Sequence, residues 1–338
     1  MAKRVVLHIG LMKSGTSFIQ RTLMANPDAL QGQGVLFPGK RWSEQVRAVR
    51  DLLGMRRKGS DPTKTEGAWP RLVEEIDAWP GTAVISMEYL AGARPQGIDR
   101  LAGSVDPERL HVVMTVRDLG RTIPAMWQES LQNYRTWTWE EFLDGVRNGD
   151  PSVKGPARTF WRQHNARAIA QRWSRVVPPE RLTLITLPPP GADPMVLWER
   201  FCQVLGVDPG SCEPGPRRNE SLGAASAVLM RELNVALAER GVSPAAYQRV
   251  VKQKLAKAEL SKRKSTEPAI GFDHTWVNRR ADRMIGQLRR MPLTVLGDLE
   301  ELRPVPVPGV HPSDVTERQE LDAAVDGLAA FLARVAKR

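Results

Sequence analysis

The chain has 338 residues, 41% hydrophobic and 26% charged, an ordinary soluble globular composition that suits one large α/β domain or a core with a helical appendage. Its formal net charge of +11 implies attraction to anions without dictating a fold, and two cysteines, Cys202 and Cys212, are too few for a disulfide framework. The start MAKRVVLHIG has too short an apolar run for a secretory signal or for a spanning helix of about twenty apolar residues, so a cytoplasmic protein with no transmembrane segment is expected.

Val5, Val6 and Leu7 form a short apolar run that reads as a buried strand. Gly10 ends it, and Gly15-Thr16-Ser17 leads into a helical pattern with Phe18, Ile19, Leu23 and Met24 as its apolar positions. Between strand and helix lies GLMKSGTS, with two glycines, one lysine and three hydroxyls in eight residues. Such a loop turns its backbone N–H groups around a phosphate beside the positive end of a helix. Lys13 adds a mobile charge, and Ser14, Thr16 and Ser17 add hydroxyl donors. The common nucleotide-hydrolase loop, G-x-x-x-x-G-K-[ST], has its lysine after the second glycine, whereas Lys13 precedes Gly15 by two positions.

Residues 43–58 read as a helix with Val46, Val49, Leu52 and Leu53 on one face, and Gly59 to Pro70 as a surface loop. A helix carrying Leu72, Ile76 and Trp79 precedes a second buried strand, Ala83 to Ile85, with Glu88 just past its end. Ligands of an open parallel sheet sit at the carboxyl ends of its strands, so Glu88 is expected on the same rim as the loop. The third strand, Leu110 to Val116, delivers Arg117 to that rim. Pro124 is expected to kink or delay the helix that follows, where Trp127 and Gln128 either line a pocket or pack in the core. Thr138 caps another helix, His164 lies within the helix starting at Trp161, and Leu182 to Thr186 form a fourth strand stopped by prolines. The loop PGPRRNESLG offers Arg217 and Arg218, and Ser221 reads as an N-cap. From Leu222 onward the chain reads as helical, without a recognisable strand. Its basic segment Arg249 to Lys264 is either a solvated face or a surface for an anionic acceptor or membrane.

The loop GLMKSGTS resembles the 5′-phosphosulfate loop of sulfotransferases that use 3′-phosphoadenosine 5′-phosphosulfate (PAPS). RDLGRTIPAMWQE, starting at Arg117, is similar to a set of actinobacterial sulfotransferase-family proteins. The resemblance implies a three-layer, P-loop-type parallel sheet flanked by helices. Residues 1–223 would form the PAPS-binding core, and residues 224–338 a helical extension that shapes the acceptor site. It implies that Lys13 contacts the bridging oxygen of the leaving phosphate while Ser14, Gly15, Thr16 and Ser17 hold that phosphate. It further implies that Arg117 binds the 3′-phosphate with help from Arg217 or Arg218, and that Glu88, in SMEYL, takes the acceptor's proton. The family's serine eight residues after the strand-end arginine is Ala125 here, with Arg121 or Thr122 as replacement donors. His8 is a second candidate base, or else a satisfied core histidine. The acceptor would be a hydroxyl or amine of a small molecule, glycolipid or saccharide. No metal and no nucleic acid are expected, and the oligomeric state is open. Two other readings stand beside this one: a P-loop small-molecule kinase, which needs a strand-end aspartate for magnesium, and a non-catalytic polyanion-binding protein.

Overall fold

The structure is a computed structural model and describes residues 2–55, 65–215 and 221–336. Six strands form one sheet: β1 (Arg4–His8), β2 (Val35–Leu36), β3 (Thr82–Ser86), β4 (Leu110–Val116), β5 (Leu182–Thr186) and β6 (Thr294–Leu296). Their order is β2-β3-β1-β4-β5-β6, and every neighbouring pair is parallel. Parallel strands need helical crossovers, which cover both faces and bury both sets of side chains. The burial follows that rule. Val5 and Leu7 pack with Val112, Met114 and Trp127 on one face, while Val6 packs with Val84, Val113, Ile19, Trp198 and Phe201 on the other. The expected three-layer α/β architecture is therefore present.

The four expected strands lie where the apolar runs placed them, but two more complete the sheet. β2 is a two-residue edge strand, and β6 pairs with β5 through Thr183↔Thr294 and Ile185↔Leu296. The expectation of no strand after Leu222 is thus overturned. Three residues, none of them fully buried, are too few to show an alternation against the helical pattern before them. Pro124 does not delay the start of its helix, Leu119–Gln132; it sits inside it. The basic segment also differs from its reading as an exposed helix. Gln248–Ala256 is a π-helix that buries Lys252, followed by a 3-10 turn, Leu260–Ser265. The last helix, Glu317–Ala336, packs on Ala224–Glu239 and on both of those segments. Among the described residues no helix is long and apolar enough to cross a membrane.

Candidate functional site

Parallel pairing of β1 with β3 and β4 brings three strand ends to one rim, and the residues that follow them meet there. The loop after β1 reverses direction through three left-handed backbone positions, Gly10 (φ 58°), Lys13 (φ 62°) and Gly15 (φ 84°). Glycine suits the outer two positions. A Cβ on Gly10 would lie 2.3 Å from Thr16 Cγ2, and one on Gly15 would lie 2.4 Å from Leu197 Cδ2. Lys13 carries a backbone cost of order 1–3 kcal/mol that glycine would avoid. The helix Thr16–Ala25 starts from Gly15 with no side-chain cap, so its first-turn amides face the loop.

The loop hydroxyls divide by burial. Ser14 is fully buried; its Oγ donates to the Leu11 carbonyl at 2.6 Å, accepts from Leu11 N–H at 3.0 Å and lies 2.7 Å from Thr115 Oγ1. That hydroxyl braces the loop against β4, which leaves the backbone N–H as Ser14's donor. Thr16 is buried and Ser17 exposed at the start of the helix. His8, just below the loop, is a core histidine with Nδ1 2.7 Å from Ser86 Oγ and Nε2 3.2 Å from Thr115 Oγ1. Burial pushes its pKa down to about 3.

Lys13 is the centre of the polar network. Its Nζ lies 2.7 Å from Glu129 Oε2, and the other oxygen of Glu129 accepts from Lys252 Nζ and Asn133 Nδ2, each at 2.9 Å. Lys252 also donates to Asn133 Oδ1 at 2.6 Å. Burial alone would raise the Glu129 pKa, but the charges and hydrogen bonds of Lys13 and Lys252 outweigh it and hold the carboxyl well below its usual range. At Lys252 the balance is reversed: burial lowers the ammonium pKa more than Glu129 restores it. One buried carboxylate shared by two cations accounts for both directions. His164 is buried nearby, its Nε2 without a partner, and burial followed by the Lys13 charge pushes its pKa down to about 3.

Arg117 follows β4 and reaches back to the loop, where its Nη1 donates to the Lys13 carbonyl at 3.2 Å. Its Nε is buried without a partner, and it has no carboxylate within ion-pair distance among the described residues. Burial and then the neighbouring Arg121 lower its pKa to about 10, against the opposing charge of Asp118. Asp118 instead caps the following helix, accepting from Arg121 N–H at 2.9 Å, and pairs with the Arg121 guanidinium. Arg121 also donates to the Pro188 carbonyl at 3.0 Å and, with Gly15, Phe18 and the prolines after β5, lines an open cleft of about 280 Å³. Thr122 is buried and donates its hydroxyl to the Asp118 carbonyl.

Glu88 opens a 3-10 turn directly after β3. It is half-buried, its Cβ lies 3.5 Å from the space a Cβ on Gly10 would fill, and Oε2 accepts from Gln20 Nε2 at 3.2 Å. Arg217 and Arg218 lie outside the described residues. Ser221 does not cap a helix: the next one, Ala224–Glu239, starts from Gly223, and Glu267 holds its first turn through Ser226 N and Oγ at 2.9 and 2.7 Å. The rim thus gathers Lys13, the loop amides, Arg117, Arg121 and Glu88. Glu129 and Lys252 join them without having been marked as site residues. Glu129 stood in the WQE of the helix after Arg117, where a buried face of Trp127, Gln128 and Glu129 was a usable signal; Lys252 gave none within its basic run.

No family model matches the chain, and no curated protein matches it. Among solved structures it is similar to a sulfotransferase from Alicyclobacillus acidocaldarius, at 16% identity and a TM-score of 0.41, over 74% of this chain and 100% of that one.

Proposed function

We propose that this protein is a sulfotransferase that moves a sulfuryl group from PAPS to a hydroxyl or amine. The observation that carries the reading is the pairing of Lys13 with Arg117. Arg117 is a half-buried cation whose buried Nε is unpartnered and which has no carboxylate within ion-pair distance among the described residues; it is hydrogen-bonded to the backbone of the very lysine that heads the phosphate loop. Two cations in that register, beside an uncapped helix, suit a ligand with two separate phosphates.

In this reading Glu88 accepts the proton of the acceptor hydroxyl or amine as the acceptor atom bonds to sulfur. The bond from sulfur to the bridging phosphate oxygen breaks in line, and Lys13 with the loop amides stabilises the charge that develops on that oxygen. Arg117 grips the 3′-phosphate, with Arg217 or Arg218 as its helpers, and so selects PAPS over ATP. Glu129 holds the Lys13 ammonium at the rim through their ion pair of 2.7 Å. A kinase would need a strand-end aspartate free for magnesium. Asp118 is fully buried and engaged as a helix cap and in an ion pair with Arg121, which leaves Glu88 alone in that place.

Calorimetry with 3′-phosphoadenosine 5′-phosphate, AMP and magnesium ATP tests the proposal. The expected outcome is micromolar or tighter binding of the 3′-phosphorylated nucleotide and a loss of about 100-fold or more in Lys13→Ala, equal to at least two charge-assisted contacts. Preference for magnesium ATP would favour the kinase. Binding of none of the three would leave the polyanion reading.

A further inference from the structure

The last helix, Glu317–Ala336, turns Ala323 and Gly327 into the body of the protein, where they meet Leu260 and its neighbours. Its opposite side carries Leu321, Val325, Leu328, Leu332 and Val335, each between 46% and 57% exposed. The spacing is four, three, four, three, the a/d repeat of a helix that packs along another helix. Ala329, Ala333 and Ala336 are exposed beside the stripe. A charged side chain at any of these positions would have kept the surface wet, and none is present.

We propose that this stripe is the interface of a homodimer in which two copies of the helix pack antiparallel about a two-fold axis at Leu328. Three observations select a second copy as the occupant. First, the stripe is self-complementary: with Leu328 facing its own copy, Leu321 faces Val335 and Val325 falls one position, about 1.5 Å, from Leu332, so apolar meets apolar along its whole length. Second, the charges run in one direction. Glu317, Glu320, Asp322 and Asp326 outweigh Arg318 in the first half of the helix, and Arg334 lies in the second; Asp322, Asp326 and Arg334 are ion-paired within the chain to Arg318, Arg263 and Glu259, which leaves Glu317 and Glu320 as the uncompensated charges of the first half. An antiparallel partner keeps the two acidic first turns apart and opposes the two helix dipoles, whereas a parallel partner would stack acid on acid. Third, the area suffices. The patch is on the order of 500 Å² per copy, at the upper end of what monomers expose, and pairing covers about 1,000 Å², where specific interfaces begin. The acidic residues beside the stripe disfavour an anionic membrane as the occupant. The inference is independent of the reaction proposed above.

Sedimentation of the full chain at micromolar to tens of micromolar concentration tests it. The expected mass is twice 37.7 kDa. Leu328→Glu and Leu328→Lys should each weaken association by about 100-fold or more, as for a central anchor, and mixing the two variants should restore a dimer. Because this side chain is exposed, both variants should keep the wild-type far-ultraviolet spectrum and a cooperative thermal transition, which separates loss of association from loss of fold. Orientation is read by oxidation, since Cys202 and Cys212 are buried. Leu321→Cys mixed with Val335→Cys should crosslink, and Leu321→Cys alone should not. A single-chain mass at every concentration, a dimer unaffected by Leu328→Glu, or crosslinking of Leu321→Cys alone would each overturn the proposal. Stripe-dependent flotation with phosphatidylglycerol vesicles by a chain that stays monomeric would assign the face to a membrane instead.

Discussion

Glu129 shows how much of a polar network can hang on a lone carboxylate set into a buried helix face. It serves two ammonium groups at once, and it and Lys252 sit away from bulk water while the Lys13 side chain is a quarter exposed. Removing one member of such a set leaves the others buried without compensation, at a cost of roughly 3–5 kcal/mol. Glu129→Ala should therefore lower the urea midpoint sharply, while Glu129→Leu combined with Lys252→Met should recover most of the loss; denaturation of the three proteins checks both. The histidines set a pH dependence of their own. His8 and His164 have folded pKa values of about 3, below the ordinary 6.5, so between those limits the unfolded chain binds protons that the folded chain refuses. Stability from this source is complete above about pH 6.5 and falls with acid towards pH 3, by about 1.4 kcal/mol per pH unit for each histidine once its unfolded form is protonated. Glu129 adds a loss in the same direction at lower pH, once acid reaches its ordinary range, because its folded pKa is depressed. Thermal unfolding followed from pH 7 to pH 4 should show a falling midpoint, with a shallower slope in His8→Asn. A flat profile would contradict the burial of both rings as neutral groups.

At the scale of elements, long apolar runs were legible and short or irregular pieces were not. VVL, AVI, LHVVMTV and LTLIT announced β1, β3, β4 and β5, because a strand buried on both faces needs nothing but apolar residues. β6 was hidden for the opposite reason: an edge strand of three half-exposed residues draws its identity from β5, not from its own pattern. The loop after β1 was visible since glycine is the residue for left-handed backbone, yet Lys13 adopts the same conformation with no sign of it in the sequence. The π-helix was equally invisible, as a shift from i→i+4 to i→i+5 bonding alters no residue, although it carries the lysine that completes the Glu129 network. β6 also bears on where the chain can be divided. A chain cut after Gly223 loses the edge strand together with Glu301, whose carboxylate holds Arg200 through bonds of 2.7 and 2.8 Å. Such a fragment should be insoluble or should unfold without cooperativity. A cut chain with a sharp thermal transition would show that residues 1–223 are self-sufficient.

Across the whole molecule, the charge of +11 and the chemistry of the rim answer different questions. The excess is spread over exposed arginines and lysines and favours any polyanion at low salt, whereas Arg117 and Lys13 are partly shielded in one place. Nucleotide affinity should therefore fall by less than about tenfold between 50 and 200 mM salt, against the losses of 10³ or more that come with six or more surface phosphate contacts. Titration at both salt concentrations decides between a pocket and a surface.

The late position of β6 has a further consequence during synthesis. β5 is complete roughly a hundred residues before its outer neighbour is made, so at about 5–20 residues per second its edge stays unpaired for about 5–20 s. An open edge of that kind invites pairing with another chain. The nascent protein thus passes through a window in which a ribosome-associated chaperone has a defined surface to cover, and slowing translation downstream of β5 should lengthen that exposure.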